Sequence, residues 1–155
     1  MLKRALRVPA LLYRLGAGPL LGHRFLLLTH RGRRSGRSYR TMLEVVRWSP
    51  PMREAVVMSG FGPSSNWYLN ILADGAEEIQ IGGERFRPQV RRLETEEAIA
   101  ALTDYERRNR LLAPLVRAIF SRLAGFAYDG SEAARRKLVE ALPLVAFRQP
   151  DDRIA

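Results

Sequence analysis

Apolar and polar positions change their spacing several times along the chain, and each change marks an expected element. Phe25 to Thr29 is a compact apolar run that stops at Arg31-Gly32, as a buried strand does before a loop. Arg31 to Ser38, rich in glycine and arginine, reads as a hairpin connection. Tyr39 to Trp48 then alternates, with Thr41, Leu43 and Val45 on one face and Met42, Glu44 and Val46 on the other, which predicts a second strand. Ser49-Pro50-Pro51 turns the chain into a third strand, Glu54 to Ser59. Gly60-Phe61-Gly62-Pro63 breaks that strand, and Ser64 or Ser65 caps a helix over residues 64–73 that ends at Asp74-Gly75.

Glu77 to Ile81 and Glu84 to Leu93 flank Gly82-Gly83, a pair suited to a two-residue hairpin, and supply strands four and five. Thr95 caps a helical pattern that continues to about Leu123 with a break near Pro114, and Ser131 caps a last helix to Leu142. Pro143 leads into a sixth strand, Leu144 to Phe147. Six short, mostly antiparallel strands with helices at the ends predict an α+β, mainly β fold, a small barrel with helical decoration. The expected organisation is one domain over 1–155. It has an N-terminal helix over 1–22, barrel strands within 23–94 and 143–148, and a helical segment over 95–142.

Composition narrows the chemistry. A chain of 155 residues, 46% of them hydrophobic, is sized for one domain that buries about 70% of its unfolded surface. It has no cysteine, which excludes disulfides, thiolate metal sites and a cysteine nucleophile, and its two histidines leave little for an imidazole zinc site. No resident metal is expected. The net charge of +10 is concentrated: residues 1–40 carry ten basic side chains and no acid, while the remaining basic and acidic residues balance. That asymmetry points to an anionic partner, whether a membrane, a nucleic acid or an acidic small molecule.

The basic, leucine-rich start invites comparison with a signal peptide, but Arg14 interrupts it and no clear small-residue cleavage site follows. The longest uncharged stretch, Ala55 to Ala73, contains Pro63 and several polar residues and does not read as a membrane span. A cytoplasmic protein is expected. On a helix, Lys3, Arg7 and Arg14 share one face and Leu2, Leu6 and Tyr13 a neighbouring one. Two readings stay open for residues 2–15: a peripheral contact with anionic lipid at the inner face of the membrane, or a helix packed on its own domain.

Two constellations carry candidate chemistry. In Thr29 to Arg40, five arginines and two glycines fill a strand-to-strand connection, where backbone N–H groups can turn inward on an anion and guanidinium forks can grip phosphate. A solvated hairpin, a nucleic-acid phosphate contact and an acidic cofactor site all fit it. In Ser59-Gly60-Phe61-Gly62 followed by Asn66-Trp67-Tyr68-Leu69-Asn70, a glycine-bearing strand end beside an aromatic helix can cradle a flat ring, or pack as plain core.

The ordered segments LLLTHRGRRSG, YRTMLEVV, VVMSGFG, NWYLNI, EIQIGGERFR and LPLVAF resemble the deazaflavin-dependent nitroreductase family, which uses coenzyme F420 on a split β-barrel related to flavin-binding barrels. The resemblance spans residues 24–94 and 143–148, and its most specific parts are Gly32 to Gly36 and Trp67 to Ile71. It implies a six-stranded antiparallel split barrel. It also implies that Arg33, Arg34, Ser35, Gly36 and Arg40 hold the acidic tail of F420, and that Thr41, Met42 and Leu43 lie along the deazaflavin ring. Ser59, Gly60, Trp67 and Asn70 would complete the pocket. Three residues separate Gly36 from Arg40 where the family often has two, and Met42 or Leu43 stands where a proline is usual.

The resemblance further implies hydride transfer from reduced F420, with FMN as the alternative cofactor, to a small lipophilic acceptor such as a quinone, an enone or a nitroaromatic. A homodimer and no nucleic-acid partner go with it. A cofactor that carries the chemistry asks the protein only to bind, orient and exclude water. The acceptor's proton comes from water or from Tyr68, Tyr105 or Tyr128, while His23 and His30 could do acid–base work but at the base of a hairpin are more often structural. A protein that binds F420, flavin or lipid without turnover is the competing expectation, and a nucleic-acid module driven by residues 1–40 is a third.

Overall fold

The computed structural model describes residues 21–151. Its centre is β2 (Ser38–Ser49), a twelve-residue strand long enough to serve two neighbours in turn. The first half of β2 pairs antiparallel with β1 (Phe25–Arg31), from Phe25 opposite Glu44 to Arg31 opposite Ser38. The second half pairs with β3 (Glu54–Met58), from Val45 opposite Val57 to Ser49 opposite Glu54, and the register shifts between Val45 and Arg47. Such a bulge bends a strand and raises its twist, which is how one strand turns from one half of a curled sheet into the other.

On the β1 side follow β4 (Glu78–Ile81) and β5 (Glu84–Phe86). On the β3 side follow β7 (Leu144–Arg148) and β6 (Gln89–Arg92). The order is β5-β4-β1-β2-β3-β7-β6, with every pair antiparallel. The β4–β5 hairpin turns on Gly82 and Gly83, whose φ angles of 56° and 81° are those of a tight primed turn and strain any side chain with a Cβ.

Among the described residues the sheet therefore has seven strands where the sequence pattern predicts six. The difference lies in Glu84 to Leu93, expected as one strand and formed as two, with Arg87-Pro88 between them. Proline has no N–H for a ladder, so pairing with β4 stops there. The chain then crosses to the opposite edge of the sheet, where β6 pairs with β7.

Both sheet faces are covered, which is why strands such as β3 and β7 lack clean alternation. The inner face gathers Leu26, Leu28, Val57, Ile79 and Phe147, closed by Trp67, Tyr68 and Ile71 of α1 (Asn66–Asp74). The outer face puts Val46, Val56 and Ala146 under Leu102 of α2 (Thr95–Arg108), Phe120 of α3 (Ala113–Ala124) and Leu138 of α4 (Glu132–Ala141).

Helix ends follow local chemistry. Ser131 caps α4 by accepting from the Ala134 N–H at 3.1 Å, as expected. Glu94 rather than Thr95 is the N-cap of α2, and the break expected near Pro114 is the 3₁₀ turn Arg110–Leu112, with Pro114 inside the first turn of α3 where a missing N–H is tolerated. The helix expected over 1–22 lies outside the described residues apart from Leu21 and Gly22, and so does the lipid contact expected at residues 2–15. Among the described residues no helix is long and apolar enough to cross a membrane.

Candidate functional site

The β1–β2 hairpin and the N-terminal turn of α1 meet over a cavity of about 700 Å³. Its walls include Arg33, Arg34, Ser35, Arg40 and Thr41 from the hairpin, and Trp67 and Asn70 from α1. These seven are among the residues singled out in the sequence. The cavity adds His30, Gly32, Tyr39, Phe61, Ser65 and Asn66, which were not assigned to a site. Five of them fall inside the segments already marked and Ser65 lies just before one, so a reading by segment reaches them where a residue-by-residue match does not.

Glycine shapes the loop. The Gly32 N–H donates to the Arg37 carbonyl at 2.8 Å, and the Gly32 carbonyl accepts from the Gly36 N–H at 2.9 Å. A Cβ on Gly32 would lie 2.5 Å from Ser35 Oγ and 2.8 Å from a Tyr39 ring carbon, so the loop closes only over a bare backbone. Gly36, at φ 69°, reverses the chain without itself lining the cavity. The Ser35 hydroxyl lies 3.1 Å from the Tyr39 hydroxyl and accepts from the Arg37 N–H, which braces the loop on the strand it enters.

One arginine is fixed by amides. Arg33 donates to Asn70 Oδ1 through its backbone N–H at 3.1 Å and through its guanidinium at 2.8 Å, and the guanidinium also reaches Asn66 Oδ1 at 3.4 Å. An amide oxygen orients a guanidinium without cancelling its charge. Among the described residues Arg33, Arg34, Arg37 and Arg40 make no ion pair, whereas Arg31 at the hairpin's base is paired with Glu77 at 2.8 Å. Glu77 also accepts from Ser38, and that bond, followed by the Arg31 contact, holds its carboxyl below the usual range.

Behind the loop, His30 is buried. Because Asn70 Oδ1 accepts twice from Arg33, its Nδ2 faces His30 Nδ1 and donates to it at 3.1 Å. The imidazole proton is thereby assigned to Nε2, which donates to Thr41 Oγ1 at 2.9 Å. Burial pushes the His30 pKa down, against an opposing pull from Glu77. Thr41 Oγ1 accepts the imidazole's hydrogen bond and keeps its own hydroxyl hydrogen for an acceptor in the cavity.

At the other end, α1 points its N-terminus at the same space through Ser65, Asn66 and Trp67, with no acidic side chain in its first turn. Unpaired N–H groups at a helix start favour an anion. The Ser65 hydroxyl oxygen is buried and has no partner among the described residues. Phe61, 61% exposed, and Trp67 give the cavity aromatic surface.

The other marked residues sit around this space. Leu43 joins the inner core, and Met42 is buried on β2 without lining the cavity. Ser59 is fully buried and donates to the Gly62 carbonyl at 2.6 Å, so with Gly60 it builds the turn that sets Phe61 at the rim. Tyr68 belongs to the inner core. Tyr105 donates to Glu44 at 2.9 Å, and burial raises its pKa. Tyr128 is buried in the outer core, and burial with the nearby Glu106 carboxylate raises its pKa as well. None of these three tyrosines lines the cavity; Tyr39 does.

A model of the F420H(2)-dependent quinone reductase family matches residues 10–112. The chain belongs to that family. It is an F420H2-dependent oxidoreductase, and coenzyme F420 is its cofactor. Among solved structures, the reductase is similar to an F420-H2 dependent reductase, FDR-A, at 20% identity over 82% of this chain and 96% of that one, with a TM-score of 0.46. It is similar to a protein described as a domain-swapped dimer at 19% identity over 90% and 98%, TM-score 0.46. It is also similar to a pyridoxamine 5'-phosphate oxidase-related, FMN binding protein from Nostoc punctiforme at 15% identity over 94% and 80%, TM-score 0.46. Curated proteins give no match.

The residues present suit such a cofactor. The cavity's volume is within the usual range for small-molecule sites. Its uncompensated guanidinium groups and helix N-terminus suit an acidic tail, its aromatic walls suit a flat ring, and the unpartnered Ser65 hydroxyl is a polar group awaiting one.

Proposed function

We propose that the cavity between the β1–β2 hairpin and α1 binds F420 and that the reductase transfers reducing equivalents to a small lipophilic acceptor of the quinone, enone or nitroaromatic class. In this reading Arg33, Arg34, Ser35, Gly36 and Arg40 hold the acidic tail. Thr41, Met42 and Leu43 offer the strand along which the ring lies, and Ser59, Gly60, Trp67 and Asn70 position the wall opposite. The observation that carries the reading is the joining of three arginines, Arg33, Arg34 and Arg40, without acidic partners among the described residues, to an aromatic-lined cavity in one space.

Reduced F420 supplies a hydride. The protein's own part is binding, orientation and exclusion of water. Asn70 and Asn66 hold the Arg33 guanidinium in place ahead of binding, so little ordering is left for the moment of contact. The Thr41 hydroxyl lines the cavity and, accepting from His30, has its own hydrogen left to donate there. Tyr39 is the tyrosine among the cavity's walls, and it and solvent are the sources open to the acceptor's proton.

Titration with F420 and with FMN, followed by quenching of Trp48 and Trp67 fluorescence, tests the site. Saturable binding with F420 preferred over FMN is the expected result, and an acceptor screen with F420H2 then separates quinones from enones and nitroaromatics. Binding of neither compound overturns the assignment of the cavity.

A further inference from the structure

Away from the cofactor cavity, the connection from α2 into α3 turns its apolar side chains outward. Leu111 is 91% exposed, Leu112 53% and Leu115 57%, although Val116 and Phe120 of the same stretch are buried in the outer core. Between residues 107 and 128 the sequence carries five arginines and no acid. A cavity of about 340 Å³ shares Asn109, Arg110 and Ala113 with the leucine-bearing segment and is also lined by Arg107 and Arg117. The one acid on its wall, Glu106, is held by Arg135 at 2.6 Å. Arg110 has no ion pair among the described residues, and Arg107 has only Asp104 at 4.0 Å.

We propose that this surface docks on an anionic phospholipid bilayer, with Leu111, Leu112 and Leu115 entering the acyl boundary and the arginine-lined cavity taking lipid phosphate. Outward leucines beside cationic groups are the combination that binds interfacially, by buried apolar area and by attraction to acidic lipid together. Charge argues against the other occupants. A second copy on a two-fold axis would set the same arginines against one another. Residues 1–20 hold Lys3, Arg4, Arg7 and Arg14 and no acid, so they repel this surface as well. A nucleic acid would leave the three leucines without a role.

The helix that carries Leu115 also reaches the turn beside the cofactor cavity. Leu123 of α3 lies 3.4 Å from the point a Cβ on Gly60 would occupy, and Gly60 begins the turn that carries Phe61. Docking therefore sets beside the bilayer a helix that abuts the site, as a lipid-soluble acceptor requires. The docking itself does not depend on the identity of that acceptor.

Because the chain has no cysteine, Leu115→Cys gives a unique position for an environment-sensitive fluorophore, and Leu72→Cys, exposed on α1, gives the comparison. The labelled full-length protein is mixed with phosphatidylcholine vesicles with and without phosphatidylglycerol. The expected result is a blue shift at position 115 only with phosphatidylglycerol, none at 72, and a fall of about tenfold or more in vesicle partition for Leu111→Ser/Leu115→Ser. F420 binding by that variant should be unchanged, which shows that it folds and keeps the outcome separate from the cofactor assignment. Sedimentation with vesicles without a shift at 115 overturns the proposal in favour of residues 1–20. A concentration-dependent shift without vesicles overturns it in favour of a second copy. Quenching or shift by inorganic phosphate alone, with none from vesicles, overturns it in favour of a free-anion site.

Discussion

The Asn70 amide faces two ways at once: its nitrogen donates to His30 Nδ1 at 3.1 Å, and its oxygen accepts the Arg33 guanidinium at 2.8 Å. A group on a buried α1 position thus links an interior histidine to an arginine at the mouth of the cavity. Replacing Asn70 with Leu keeps the bulk and removes both bonds. It leaves His30 Nδ1 buried without a donor, so stability falls by about 1–3 kcal/mol. It also frees Arg33, so F420 binding weakens by roughly tenfold, since 1.4 kcal/mol is one decade. Thermal unfolding and fluorescence titration measure the two losses separately, and a destabilised variant with unchanged affinity would detach Arg33 from the site.

The same link makes stability depend on pH. His30 is neutral in the folded protein because burial lowers its pKa from the ordinary 6.5, and a proton on Nδ1 would face the Asn70 N–H. Protonation is therefore easier in the unfolded chain, which binds more protons as pH falls through about 6.5, and stability declines with it. Groups facing the ring are Glu77, which opposes the shift, and the Tyr39 ring, stacked at 5.9 Å. Urea midpoints between pH 7 and pH 5 should fall toward acid in the native protein, and His30→Gln should flatten the slope. Equal slopes in both would remove His30 as the source.

Much of this was legible in the sequence, and the gaps have physical causes. The hairpin loop was marked by Gly32 and Gly36 because the closure leaves no room for a Cβ at one and needs positive φ at the other. The Gly82-Gly83 turn was equally plain. The split between β5 and β6 has no local signal, because Arg87-Pro88 lies in one alternating run. The crossing to the opposite edge is a tertiary matter, since β6 is specified by its pairing with β7. At the base of a hairpin, His30 reads in the sequence as more often structural than acid–base. Its role in orienting Asn70 depends on a partner forty residues away, which no local pattern records.

Within the loop, charge without acidic partners should matter more than charge as such. Replacing Arg33 and Arg34 together with Ala removes two guanidinium groups from the cavity wall, and F420 binding should weaken several-fold or more, at about 1.5–3 kcal/mol for each hydrogen bond to a charged group. Its dependence on salt should weaken too, because fewer cations remain to be screened. Arg53→Ala, which takes an exposed arginine from its partner Glu84 in the sheet's other half, should leave the affinity unchanged. Affinity measured at two salt concentrations for the three proteins decides this.

Arg91 offers the opposite case, stability without binding. It bonds Glu54 at 3.0 Å and Glu97 at 2.6 Å, and the Glu54 carboxylate is buried. Arg91→Met strands that carboxylate, with a second oxygen already unpartnered among the described residues. Because Arg91 is itself half exposed, the loss should be about 1–3 kcal/mol rather than the larger figure for a fully buried pair. F420 affinity should not change, as Arg91 does not line the cofactor cavity.

Gly32 tests whether the loop's shape, separately from its charge, makes the site. Adding one methyl with Gly32→Ala places a carbon 2.5 Å from Ser35 Oγ and 2.8 Å from the Tyr39 ring, closer than non-bonded atoms approach. Ser35 and Tyr39 are exposed enough to yield, so the fold should survive with a loss of about 1 kcal/mol or less. What yields, however, is the pair that braces the arginines on β2. F420 binding should therefore weaken by more than the stability loss accounts for, with every arginine still present. Removing the Ser35 part of the clash by Ser35→Gly in the Gly32→Ala background should not restore binding, because the Tyr39 contact stays and the hydroxyl that holds Tyr39 and the Arg37 N–H is gone. Full affinity in Gly32→Ala would mean that the cofactor is held by side-chain charge alone.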